Sequence, residues 1–235
     1  RGIRSVEADL PDMLASCEQA GKRLRVSVAG FSVGEFVELI DWGLGFPFAE
    51  VEANFGCPNV KEGGLQKPIF AFDVESMRAI LSQVEDIPGA RKRISLKLSP
   101  YSDPSLLKQL AGILGAFPGL IQTLVICNTF PNAFAFGQDG KPVFGGWTLG
   151  GLAGKPMKHI ALGQVRQFTP PHSPLPIKVI GVGGIGTGID LSEMLDAGAD
   201  GVQVATAFLE QGPRVFSDIL QEFAEHREML ETGVG

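Results

Sequence analysis

Short apolar runs alternate along the chain with longer segments of helical period. The run RVSVAG is typical of a strand, because valines occupy alternate positions in it and it ends at glycine. The segment after it places apolar residues three and four positions apart and begins near Ser32, a favoured helix cap. The same alternation predicts strands at 25–30, 49–54, 94–98, 123–128, 177–181 and 202–206. It predicts helices at 32–42, 74–84, 103–117, 155–168, 189–197 and 213–230.

Strands that alternate with helices predict a parallel sheet with right-handed crossovers. An open doubly wound sheet and a (β/α)8 barrel both fit that pattern. Because barrel enzymes place their chemistry in the loops after the strands, we expect an α/β fold of the (β/α)8 TIM-barrel type. About six βα units are visible, two fewer than a closed barrel needs. Polar residues and glycines follow five of the strands, at 54–59, 97–101, 128–132, 183–186 and 205–206.

Composition narrows the possible functions. The 235 residues suit one barrel domain, and the net charge of −6 makes nucleic acid an unfavourable partner. The three cysteines form no CxxC pair, so the sequence predicts neither a metal site nor a disulfide framework. No apolar run approaches the roughly 18 residues of a membrane span, and we expect a cytoplasmic protein without membrane contact.

Glycines near the end of the chain indicate an anion site. Gly183 and Gly184 follow a strand and precede a helix, so their N–H groups can approach an anion at a helix start. Ala205 and Thr206 stand at the tip of the next strand, and the last two strands of barrels often share a phosphate site. The alternatives are a tight turn that merely needs glycine and a GxGxxG dinucleotide motif, which lacks its Rossmann unit here.

The segment ANFGCPNV is the second candidate for chemistry. Asn54, Cys57 and Asn59 cluster after a predicted strand, and the glycine-rich segment 61–68 that follows resembles a lid. An accessible cysteine serves as nucleophile, metal ligand or proton acceptor, but no histidine stands near this one in the sequence. For Cys17 and Cys127 we expect buried structural positions instead.

Two further strand ends carry polar side chains. Lys97 lies inside the apolar run ISLKL, where a covered lysine needs an anionic partner such as a bound cofactor. A strand-end lysine that reaches water is the alternative. Asn128 and Thr129 end the next strand with hydrogen-bonding groups that suit a planar ligand rich in amides.

Together these segments resemble the dihydroorotate dehydrogenase family, FMN enzymes on a (β/α)8 barrel. NFGCPN is similar to the family's Asn-x-x-Cys-Pro-Asn signature, SLKLSPY to the strand with its flavin lysine, and ICNT to its Asn-Ser/Thr pair. GGLAGKPMKHIAL resembles the family's glycine-rich segment before a helix, and GVGGIGTGID with QVATAF resembles its phosphate-binding end. The likeness extends over about 25–230.

The resemblance implies oxidation of (S)-dihydroorotate to orotate in pyrimidine biosynthesis. Cys57 would remove the C5 proton as general base, the flavin N5 would take the C6 hydride, and Lys97 would stabilise the reduced ring. The implied substrate-binding residues are Asn54, Asn59, Asn128 and Thr129. The implied FMN-binding residues are Lys97, Asn128, Gly151, Gly183, Gly184, Ala205 and Thr206.

The resemblance also implies partners and extent. A cysteine base is typical of the soluble class, for which we expect a homodimer and fumarate as electron acceptor, with NAD through a partner subunit as the alternative. The family's first two barrel strands would precede Arg1. We therefore expect 1–235 to be a single FMN-binding domain that is truncated at its N-terminal side.

Three other functions stay open. The signature is shared with the pyrimidine domain of dihydropyrimidine dehydrogenase, which reduces uracil or thymine. A non-catalytic flavin- or phosphate-binding remnant would fold without turnover, and a phosphate-binding barrel isomerase would need no flavin. The segment 130–147 is less familiar than the rest and lies near the predicted substrate face, where it can change specificity.

Overall fold

The computed structural model describes residues 6–58, 61–62, 65–66, 68–143, 149–172 and 176–232. The helices in these ranges are α1 Leu10–Gln19, α2 Val33–Leu44, α3 Val74–Glu85, α4 Pro104–Ala116, α5 Lys158–Phe168, α6 Gly188–Asp196, α7 Thr206–Gln211 and α8 Val215–Thr232. The strands are β1 Val26–Val28, β2 Val51–Asn54, β3 Lys61–Glu62, β4 Leu65–Gln66, β5 Ile94–Leu98, β6 Ile121–Ile126, β7 Phe130–Ala133, β8 Gly150–Leu152, β9 Lys178–Val182 and β10 Gly201–Gln203.

Six strands form one sheet in the order β1-β2-β5-β6-β9-β10, and every pair is parallel. Neighbours in this sheet follow one another along the chain, with no point at which the order reverses. An open doubly wound sheet requires such a reversal, so the strand order excludes it and confirms the barrel alternative.

The sheet is curled rather than flat. Gln203 on β10 donates from Nε2 to Oε2 of Glu52 on β2 at 3.0 Å, although four strand spacings separate the two strands. In a flat sheet those strands would lie about 19 Å apart. Ser27 on β1 donates to the other oxygen of the same carboxylate at 2.8 Å. These contacts inside the curve show a sheet that bends as the wall of a barrel does, with six βα units.

Local sequence fixes where the helices begin. Ser32 accepts from the N–H of Glu35, and Asp103 accepts from the N–H of Ser105 just after the proline that opens α4. The apolar faces of the helices cover the outer side of the sheet, where the side chains of β2 and β5 are fully buried. Apolar side chains thus form the core on the outer side of the curled sheet, and polar side chains lie on its inner face.

The structure corrects two expectations. The last sheet strand stops at Gln203, and Thr206 is the first residue of α7 rather than the end of a strand. Cys17 on α1 is half-buried, not buried, because α1 leaves that side of the chain open to solvent. The hydrophobic pattern of the sequence did not predict the hairpins β3–β4 and β7–β8. The predicted lid contains the first of these hairpins, and 63–64 and 67 lie outside the described residues.

None of the helices in the described ranges combines the length and the hydropathy needed to cross a membrane.

Candidate functional site

A cleft of about 640 Å³ opens at the carboxyl ends of the sheet strands. Its walls come from the ends of β5, β6, β9 and β10 and from the starts of α5, α6 and α7. This volume lies in the range of small-molecule and cofactor sites, and the carboxyl ends are where barrel proteins bind ligands. Predicted site residues in these walls are Lys97, Asn128, Thr129, Gly183, Gly184, Ala205 and Thr206.

One end of the cleft brings predicted polar residues from three neighbouring strands together. Asn54 ends β2 and lies opposite Lys97 of β5 in the strand register. Its Oδ1 accepts a hydrogen bond of 2.8 Å from Nδ2 of Asn128, which follows β6. The Oδ1 of Asn128 in turn accepts from the N–H of Thr129 at 2.8 Å. Both amides are therefore fixed in orientation beside the lysine.

Gly56 places the cysteine loop on this group. Its N–H donates to the carbonyl of Lys97 at 3.0 Å, and its carbonyl accepts from Ser99 Oγ at 3.3 Å. A Cβ at this position would lie 2.8 Å from the carbonyl carbon of Leu98 and 2.9 Å from Cβ of Asn128. Only glycine fits between the two strand ends, so the loop that carries Cys57 rests directly on β5 and β6.

The two cysteines near the cleft differ in environment. Burial raises the pKa of the Cys127 thiol to about 12, although the charge of Lys97 acts in the opposite direction. Cys127 lines the cleft but stays protonated at neutral pH, so it is a poor proton acceptor. Cys57 is half-buried and does not contribute to the described cleft wall. Asn59, the remaining predicted polar residue of this loop, lies outside the described residues.

Thr129 lines the cleft and has a buried, unsatisfied hydroxyl. Its Oγ1 is buried and has no hydrogen-bond partner within the described ranges. Gly151 on β8 packs against it, since a Cβ there would lie 2.7 Å from Cβ of Thr129 and 3.3 Å from Cγ of Pro58. The structure thus places Gly151 beside Thr129 and the cysteine loop. Buried polar atoms are rarely left unpaired, so a ligand that pairs this hydroxyl is expected here.

The other end of the cleft is built from glycines. Gly183 and Gly184 have φ of 133° and 75°, and a Cβ on Gly184 would lie 2.8 Å from the backbone N of Lys158. A Cβ on Gly154, which precedes α5, would lie 3.1 Å from Cγ2 of Thr206. The loop after β9 therefore meets the starts of α5 and α7, where backbone N–H groups favour an anion. Lys155 also lines this end.

Three charged side chains, Lys158, Asp190 and Glu193, form a cluster that holds the loop between β9 and α6. Oδ2 of Asp190 accepts from the N–H groups of Gly186 and Thr187, each at 2.9 Å. Lys158 Nζ lies 2.5 Å from Oδ1 of Asp190 and 2.5 Å from Oε2 of Glu193. Burial alone would raise the pKa of Asp190, but Lys158 and the two backbone donors hold it below its usual value. The hydrogen bonds to Asp190 and Glu193 raise the pKa of Lys158, so the pair stays ionised at neutral pH.

Sequence reasoning missed several residues of this site. Gly56 was hidden inside a signature noted for its cysteine and asparagines, although a glycine between two such residues was a visible signal. Lys155, Lys158 and Asp190 stand on predicted helices, where charged residues usually face solvent, and no local pattern sets them apart. In the described chain, no group of three histidine, cysteine or acidic residues is close enough to hold a metal ion.

The fold and the site define a barrel protein with a ligand cleft whose one end is polar and whose other end suits an anion. Residues 1–226 match the family model for dihydroorotate dehydrogenase. The chain belongs to the dihydroorotate dehydrogenase family, which confirms the resemblance noted in the sequence. This is a flavoprotein family.

Curated relatives carry the same family name. The chain is 34% identical over 205 residues to dihydroorotate dehydrogenase A (fumarate) of Lactococcus lactis subsp. lactis, which covers 85% of this chain and 62% of the relative. The identity to dihydroorotate dehydrogenase (fumarate) of Lachancea kluyveri is also 34%, with the same coverage. The identity to dihydroorotate dehydrogenase (fumarate) of Trypanosoma cruzi is 33% over 215 residues, which cover 87% of this chain and 64% of the relative. The chain thus spans somewhat over three-fifths of the length of these relatives.

Proposed function

We propose that this chain binds FMN and dihydroorotate in the cleft and contributes to the oxidation of dihydroorotate to orotate. The observation that carries the proposal is the cleft itself, which joins a fixed amide–lysine group to a glycine-lined anion end. In this proposal 1–235 acts as one FMN-binding unit. A chain of the dihydroorotate dehydrogenase family needs both ends, because its flavin carries a phosphate and its substrate carries amides and a carboxylate.

The residues present fit FMN. The buried Oγ1 of Thr129 lacks a partner among the described residues, and Gly184, Ala205 and Thr206 line the end of the cleft where backbone N–H groups would bind a phosphate. Gly183 and Gly184 would hold the phosphate with Ala205 and Thr206. Lys155, on the same rim, would add a positive charge to that end. Bound FMN supplies the two-electron acceptor for the reaction.

The polar end would hold the substrate. Asn54 and Asn128 would donate to the carbonyl and carboxylate oxygens of dihydroorotate. Their own oxygens already accept hydrogen bonds, that of Asn54 from Nδ2 of Asn128 and that of Asn128 from the N–H of Thr129. Asn59 is proposed to join them, and Thr129 would add its hydroxyl. Lys97 would place its ammonium beside the flavin, where it opposes negative charge on the ring. Gly151 would support this end by keeping space for Thr129.

Cys57 is the proposed general base. It lies on a loop that Gly56 fixes against the ends of β5 and β6, next to the residues proposed to hold the substrate. Its Sγ would accept the C5 proton of dihydroorotate. Cys127 cannot take this role while burial keeps its thiol protonated.

Fumarate is the proposed electron acceptor, because the curated relatives are named as fumarate enzymes. An NAD-linked partner subunit and a homodimer stay predictions that the cleft itself does not test. A cytoplasmic location is proposed because Cys57 resembles the cysteine base of the family's soluble class.

The visible spectrum of the purified chain supplied with FMN tests the proposal. A bound flavin band that bleaches on anaerobic addition of dihydroorotate is the expected result. A band that persists with dihydroorotate but bleaches with dihydrouracil would replace the substrate by an uncharged pyrimidine. A chain that retains no flavin after gel filtration would contradict the proposal.

A further inference from the structure

The loop between β9 and α6 is fixed from two sides. In front, Gly183 and Gly184 touch the first turn of α5, where a Cβ on Gly183 would lie 2.9 Å from Cβ of Ala161. Behind, the capping box of α6 joins Thr187 and Asp190 through both their side chains and their backbone. The loop backbone therefore has little freedom to change the shape of the anion end.

Asp190 holds two backbone N–H groups of this loop in place. The N–H groups of Gly186 and Thr187 both point to its Oδ2. Asp190 is only 9% exposed, and Lys158 from the start of α5 holds its other oxygen at 2.5 Å. The ion pair thus joins α5 to α6, and the same aspartate holds the backbone of the loop between β9 and α6.

We propose that Lys158 and Asp190 are positioning residues that set the shape of the phosphate end of the cleft and so make the site select FMN over riboflavin. This inference rests on the proposed function, because it needs a flavin in the cleft. Neither residue touches the phosphate in this scheme. They hold the loop of Gly183 and Gly184 in the conformation that presents its N–H groups to the phosphate.

A purely electrostatic role would give a different result. If these charges acted only at a distance, removal of the Lys158 cation would weaken the binding of an anionic phosphate, and removal of the Asp190 anion would strengthen it. If they act by positioning, both changes release the same loop and both weaken binding. The sign of the Asp190 effect therefore separates the two roles.

The experiment measures the dissociation constants of FMN and of riboflavin for the flavin-free chain, by quenching of flavin fluorescence. For Lys158→Met and for Asp190→Asn we expect FMN to bind about tenfold more weakly, a loss of about 1.4 kcal/mol. Riboflavin, which lacks the phosphate, should change by less than about threefold in both variants, and its binding reports that they are folded. Lys158→Arg, which keeps the ion pair, should restore most of the preference for FMN.

Arg227→Met provides the matched control. It breaks an ion pair of 2.6 Å between Arg227 and Asp196, which fastens the opposite end of α6 to α8, and should leave the ratio of the two constants unchanged. Tighter FMN binding by Asp190→Asn, or an equal loss for FMN and riboflavin, would overturn the positioning role. A wild-type chain that binds neither flavin would overturn the proposed function and this inference with it. A wild type that prefers FMN, with variants that keep the preference, would overturn the inference alone.

Discussion

Single residues decide which groups can react in this cleft. Two cysteines lie near it, and burial separates them, because the thiol of Cys127 is held protonated while Cys57 is half-exposed. The sequence alone already favoured Cys57 through its two flanking asparagines. The structure adds a reason at the level of one atom, since the missing Cβ of Gly56 lets the cysteine loop rest on the strand ends.

Cys57→Ala should slow the bleaching of the flavin by dihydroorotate by about 10²- to 10⁴-fold, the usual range for loss of a general base. Stopped-flow absorbance under anaerobic conditions measures it. Cys17→Ala is the matched control, because Cys17 is equally half-buried but lies on α1. A rate that Cys57→Ala leaves unchanged would remove Cys57 from the reaction.

Gly56→Ala should destabilise the chain by about 1–3 kcal/mol, because the new methyl group would overlap the backbone at Leu98. Urea unfolding followed by circular dichroism measures the loss. Gly163→Ala on α5 is the control, because a Cβ there meets nothing within 4 Å. That change should stabilise the helix by up to about 1 kcal/mol. Equal stabilities for the two variants would show that the loop yields to the methyl group.

At the scale of elements, ion pairs and caps decide how the loops are held. The sequence predicted α5 and α6 closely, because their apolar periodicity is clear. It did not predict that Lys158 at the start of one helix reaches Asp190 in the first turn of the other. Such contacts depend on how two helices are placed beside the sheet, and neither helix contains that information in its own pattern.

This ion pair should make stability depend on pH at both ends of the range. The pKa of Asp190 is lowered in the folded chain, so its contribution is present above the unfolded value of about 3.9 and is lost as pH falls through the folded value. The pKa of Lys158 is raised, so its contribution is present below the unfolded value of about 10.4 and is lost as pH rises through the folded value.

Urea unfolding at a series of pH values checks this dependence. The difference in free energy of unfolding between wild type and Lys158→Met should be largest and constant from about pH 5 to pH 9, and should shrink beyond both limits. Arg227→Ala, which removes the ion pair between α8 and the other end of α6, serves as reference for a pair with an exposed partner. A difference that stays constant from acid to alkaline pH would show that Lys158 and Asp190 contribute no linked charge.

For the molecule as a whole, much of the architecture could be predicted. All six sheet strands appear within a few residues of their expected positions, because buried parallel strands are continuous apolar runs. The barrel-like curl was also expected, from the polar residues that follow the strands, but the contact across it between Glu52 and Gln203, 151 positions apart, could not be predicted. The hairpin β7–β8 was also missed, because FPNA and GGL are short, partly exposed and far apart in sequence. The site residues were predicted together because parallel strands share one carboxyl edge.

The contact that closes the curl should matter for stability. Gln203→Leu leaves one oxygen of the buried Glu52 carboxylate without its donor and should cost about 1.5–3 kcal/mol in free energy of unfolding. The double variant Glu52→Leu with Gln203→Leu should recover part of that loss, because no buried charge remains. Gln221→Leu, on the exposed side of α8, is the control. Strictly additive losses in the double variant would show that the two side chains do not depend on each other.

The hydrogen bond between Asn54 and Asn128 also limits what the polar end of the cleft can recognise. The Oδ1 of Asn128 accepts from the N–H of Thr129, and the Oδ1 of Asn54 accepts from Nδ2 of Asn128. The groups that remain to contact a ligand are the NH2 groups of the two amides and the ammonium of Lys97. This end therefore offers more donors than acceptors to a ligand. It suits a molecule rich in oxygen lone pairs, and it discriminates between two similar rings when only one of them bears a carboxylate.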